Sequence, residues 1–177
     1  MGKKPLIYVS ANGELALFFL AALLLTLFSP IFFSSYKVFY FIPFLIRTFY
    51  LKSFEESLWI SCLCGILLDL LSSNVRFGLH ALSYTVTSAL LYSQKRNFFE
   101  DNLSTLPVLT YLYSFSTTIF QIVLLMILQK GVALSWEFVK IDLGFLPFQD
   151  ALYSFICFGI PKLIFGQPAK KGKDYFH

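Results

Sequence analysis

The run LALFFLAALLLTLFSPIFF, residues 15–33, decides the fold class. It is uncharged, nearly all Leu, Phe and Ala, and at 19 residues long enough to cross a ~30 Å hydrocarbon core as one helix. Lys3 and Lys4 stand before it. A cleaved leader has a shorter apolar stretch and an A-x-A-like exit, whereas this run leaves through Phe32, Phe33, Ser34 and Ser35. It reads as a retained anchor helix.

Five more apolar runs follow, at residues 38–51, 57–71, 77–93, 105–129 and 148–165. The second is short and holds Pro43 and Arg47; its arginine, near the end of the run, is placed to snorkel. The fourth carries Ser83, Tyr84, Thr85, Thr87 and Ser88, hydroxyls that let membrane helices approach and bond across the gap. The composition agrees. Of 177 residues, 57% are hydrophobic and 14% charged, against about 25% charged in an ordinary soluble domain, so there is too little polar surface to cover a soluble core. No strand alternation or hairpin punctuation suggests a β-barrel. The expectation is all-α: a polytopic integral membrane protein of six transmembrane helices. Residues 1–14 form an N-terminal segment, 15–165 the bundle, and 166–177 a basic tail, all one membrane domain.

Orientation follows from Lys and Arg. With six spans and a cytoplasmic N-terminus, ten of the 14 basic residues fall inside and four outside (Lys37, Arg76, Lys130 and Lys140). Both termini are then cytoplasmic, provided the second run spans. The stretch 131–144 becomes the longest outer loop, lying along the interface as an amphipathic segment or solvated. The tail lysines are near enough to meet anionic lipid headgroups. The net charge of +4 is scattered rather than gathered on a face, which excludes nucleic acid as a natural partner.

Catalytic signatures are missing: the chain has no HExxH, GxSxG or Walker A sequence. With two histidines and three cysteines, none in a ligand-spaced set, no metal or cofactor is expected and the thiols read as small apolar residues. Glu55 and Glu56 read as a solvated turn. Asp69 is the charge that stands out, in Leu67-Leu68-Asp69-Leu70-Leu71 before Ser72-Ser73-Asn74. An acid in a membrane segment is a functional-site candidate by default. The structural alternative is a turn cap that accepts amides near Ser72 to Asn74. In that role Asp69→Asn would keep most function, since an amide oxygen still accepts. His80, eleven residues on, is within reach of an Asp69–His80 hydrogen bond; Arg76 is a competing partner.

Two sequence pieces carry a family resemblance. Gly65-Ile-Leu-Leu-Asp69-Leu-Leu-Ser72, followed by Phe77-Gly78-Leu79-His80-Ala81-Leu82, resembles the signature of MreD-type rod-shape-determining proteins: G-x-x-x-D-h-x-S with h apolar, then G-h-x-A-L opening the next helix. The match covers about 20 residues; length and number of apolar runs agree with it. A Phe-rich composition, Arg47 in the weak second run and the basic tail depart from it.

The resemblance implies a non-catalytic component of the bacterial cell-elongation machinery in the inner membrane. It implies partnership with an MreC-type protein, an MreB-type filament system, a RodA-type glycosyltransferase and a class B penicillin-binding protein. By motif position it carries over Asp69, Ser72, Gly78 and His80 as a corner that a partner helix reads. In size and span count the family is also similar to the substrate-binding subunits of energy-coupling-factor transporters. That likeness implies a rival role, a vitamin-like ligand held among Asp69, His80, Tyr84 and Arg47.

Overall fold

The structure is a computed structural model that describes residues 11–32, 38–72, 77–94, 105–128 and 140–159. Every regular element among the described residues is helical. The helices are α1 (Ala11–Phe32), α2 (Ile42–Leu51), α3 (Phe54–Leu71), α4 (Leu79–Tyr92), α5 (Thr105–Leu128) and α6 (Leu146–Ser154). Wide π-helical turns, Lys140–Phe145 and Phe155–Gly159, extend α6 at both ends.

Local chemistry sets these boundaries. Pro43 occupies the first turn of α2, where its missing N–H is no loss and its fixed φ suits a helix start. The second apolar run is therefore helical only from Ile42, because Val38 to Phe41 precede the helix. Ten helical residues reach only ~15 Å, half of a ~30 Å hydrocarbon core. Ser53 caps α3 by accepting the Glu56 amide at 3.4 Å, and Glu55 and Glu56 sit in the first turn, favoured by the helix dipole. Those two acids thus belong to α3 rather than to a solvated turn. Lys140 to Gly144, expected in a loop, lie in the π-helical turn before α6. Pro147 follows at once. A proline inside a continuous helix removes one hydrogen bond and crowds the preceding turn, which a widened turn relieves. Residues 131–139 and the basic tail lie outside the described residues.

α2 is the centre. Ile42, Pro43, Phe44, Leu45, Ile46, Thr48 and Phe49 are all buried, as expected of a helix that is apolar all round. α1, α3 and α5 pack against it, and the core cluster joins Phe41, Ile42, Leu45 and Phe49 to Leu109, Tyr84 and Tyr113. The most extensive pairing is between α3 and α4; α5 packs against α4 and α6.

Polarity runs opposite to that of a soluble domain. Ser57, Ser61, Ser83, Thr87, Ser88, Thr110, Ser114 and Thr117 are fully buried, while Trp59, Phe77 and Ile127 are about 70% exposed. α3 and α4 follow this rule, whereas α1 buries Leu15 and Ala22. α3 turns Ser57, Ser61, Cys64, Gly65 and Asp69 inward and Trp59, Leu63 and Leu70 outward. α4 turns Ser83, Thr87 and Ser88 inward and Leu82, Val86 and Leu90 outward. Buried hydroxyls are tolerated because they bond back to carbonyls one turn earlier, as Thr110 does to Leu106 and Thr118 to Ser114. By length and composition, one helix among the described residues, Leu106–Leu128, is long and apolar enough to cross a membrane; Leu15–Ser29 and Ile42–Leu51 are shorter apolar helices.

Ser57, Ser61, Gly65 and Asp69 recur every four residues and form one stripe along α3. At Gly65 the stripe meets the α4 backbone. A Cβ there would lie 2.7 Å from both the Ala81 nitrogen and the His80 carbonyl oxygen, and closer still to the Ala81 Cα. Overpacking against backbone costs about 1–3 kcal/mol, while the propensity gain of Gly→Ala in a helix is about 1 kcal/mol. The clash is with backbone, which cannot give way as the end of a side chain can, so the cost lies at the upper end. Gly65→Ala should therefore lose about 2 kcal/mol in thermal unfolding of the purified chain, while Leu63→Ala on the outward face should change it by under about 0.5 kcal/mol. Equal stability of Gly65→Ala and the parent would contradict this packing.

Candidate functional site

The four amides that begin a helix have no partner inside it, and in apolar surroundings water cannot supply one. At α4 the capping position is Gly78, which has no side chain to accept them. Asp69, the last member of the α3 stripe, does so from the neighbouring helix. Its Oδ2 accepts the Gly78 amide at 2.9 Å and the Ala81 amide at 3.1 Å; its Oδ1 accepts the His80 amide at 3.0 Å. The His80 imidazole completes the set, with Nδ1 2.8 Å from Oδ1. Backbone N–H groups already point at both oxygens, so this is Nδ1–H donating. A carboxylate has about four acceptor positions, and all are taken.

The expected Asp69–His80 hydrogen bond is therefore present. Asp69 thus acts as a cap, at the start of the next helix; the amides of residues 73 and 74, expected among its partners, lie outside the described residues. Ser72 closes α3 through its backbone, donating its amide to the Leu68 carbonyl at 2.9 Å. Gly78 has φ +96°, a left-handed conformation that other residues rarely adopt, and this turn aims three amides at one carboxylate. Arg76 and the 73–75 stretch fall outside the described residues.

A second buried carboxylate does a related job, and sequence reading passed over it. Asp150 of α6 is fully buried. Its Oδ1 accepts the Phe39 amide at 3.0 Å, from the non-helical stretch before α2, and its Oδ2 accepts the Ser114 hydroxyl of α5. Asp150 so ties three elements together, and the Tyr40 and Tyr153 rings meet edge to face beside it at 5.3 Å. Its neighbours Pro147, Phe148 and Gln149 gave no signal of this, since the partners are 111 and 36 residues distant.

A chain of hydroxyls joins α3, α4 and α5. Ser61 and Ser88 bond at 2.6 Å, Ser88 and Tyr113 at 2.8 Å, and the Tyr113 hydroxyl donates to the Tyr84 carbonyl at 3.1 Å. Thr110 reaches Ser154 at 2.8 Å. These bonds spend the polar groups on one another.

The remaining residues singled out from the sequence are less concentrated. Tyr84 lies in the core with its ring edge-on to those of Tyr113 and Phe39. Arg47 is half-buried on α2, on the side of that helix with Tyr50 and Leu51, and has interactions of its own. The Tyr92 hydroxyl donates to the Lys52 carbonyl, so α2 ends beside the far end of α4 from Asp69. The three cysteines, Cys62, Cys64 and Cys157, are free.

These bonds predict an order of stabilities. Asp69→Ala removes every partner of the α4 amides and should cost at least about 3 kcal/mol. Asp69→Asn turns one doubly used acceptor into a donor that faces two N–H groups and should cost about 1–3 kcal/mol, so the amide is no longer expected to substitute well. His80→Ala removes one bond of four and should cost about 1 kcal/mol. Thermal unfolding of the three variants checks the order, and Asp69→Asn matching the parent would break it.

Compared with protein-family models, with curated proteins and with solved structures, the chain has no match.

Proposed function

We propose that the chain is a polytopic membrane protein that acts as a non-catalytic component of the bacterial cell-elongation machinery. In this reading it links MreC- and MreB-type proteins to lateral peptidoglycan synthesis by a RodA-type glycosyltransferase and a class B penicillin-binding protein. It resides in the inner membrane with both termini cytoplasmic, in a fold resembling the substrate-binding subunits of energy-coupling-factor transporters.

The membrane setting is supported by the inverted polarity, since hydroxyls inward and Leu, Val, Ile, Phe and Trp outward suit lipid and not water. The shortness of α2 is compatible with it. Non-helical backbone at membrane depth must be buried in protein and satisfied there. Before α2, Phe41 is fully buried and the Phe39 amide is held by Asp150.

The observation that carries the adaptor reading is the filling of Asp69. Residues at the positions of the resemblance, Asp69, Gly78 and His80, spend their hydrogen-bonding capacity on one another, with Gly65 in close contact beside them. A corner of this kind fixes two helices and leaves the outer faces of α4 and α5 apolar for partner helices. The rival reading, a subunit that binds a vitamin-like molecule, draws on one feature: the Tyr84 hydroxyl is buried without a hydrogen-bond partner.

Photo-reactive residues at the outward positions Leu82, Val86, Leu90, Ile119 and Val123 test the proposal in bacterial membranes. Capture of an MreC-like protein or a penicillin-binding protein is the expected result. Capture of an energising transporter subunit with its ATPases would overturn it.

A further inference from the structure

We draw no further inference here: the strongest candidate, the surface patch along α1 formed by the exposed Leu17, Leu20, Leu24 and Phe28, is an unpartnered apolar helix face, and nothing in the structure shows what covers it.

Discussion

The bundle depends on one carboxylate that serves a helix other than its own. An α-helix that starts in apolar surroundings has amides that nothing nearby can satisfy. α4 starts at a glycine and has no local cap, so the Asp69 carboxylate reaches across from α3 to accept three of those amides and the imidazole of His80. One side chain thus satisfies three of the four amides that begin α4 and fixes where α3 and α4 meet. The close approach at Gly65, one turn earlier, follows from the same alignment: Asp69 cannot reach Ala81 unless the helices touch where Gly65 has no side chain.

Asp150 repeats this device at the other junction. There the amide comes from the short non-helical stretch before α2, and the hydroxyl of Ser114 brings in α5. Both acids therefore act on backbone that cannot satisfy itself. The interior joins the apolar core around α2 to a hydroxyl network, with Ser61, Ser88 and Tyr113 in series, and the exterior is rich in Leu, Val, Phe and Ile. In such a structure hydrogen bonds and close small-residue contacts hold the helices together, while the apolar surface is free for lipid or another helix.

Much of this was legible in the sequence. The all-helical class came from the long apolar runs, and Asp69 with His80 came from an acid in a leucine run eleven residues before a histidine. The stripe Ser57, Ser61, Gly65 and Asp69 was present in the spacing, and Ser53 with Glu56 had the pattern of a capped helix start. Neither shows in apolar content, which marks the middle of a helix rather than its polar face or its ends. Other features could not be read locally. That Asp69 caps α4 depends on the left-handed Gly78, and Asp150's partner Phe39 lies in a distant segment. The helical turn at Lys140–Phe145 was hidden by its charges and by Pro147, which stands just before the sixth apolar run and sits within a continuous helical stretch in the fold.

The proposed adaptor role rests on how fully the corner is satisfied. The four acceptor positions of Asp69 are taken, so under that proposal its contribution is the shape it gives α3 and α4. The most direct measurement of that claim is amide hydrogen exchange in the membrane-embedded chain, read at Gly78, His80 and Ala81. The account predicts strong protection in the parent and its selective loss in Asp69→Ala, with the middle of α5 unaffected. Rapid exchange at these three amides in the parent, or protection that survives Asp69→Ala, would contradict it.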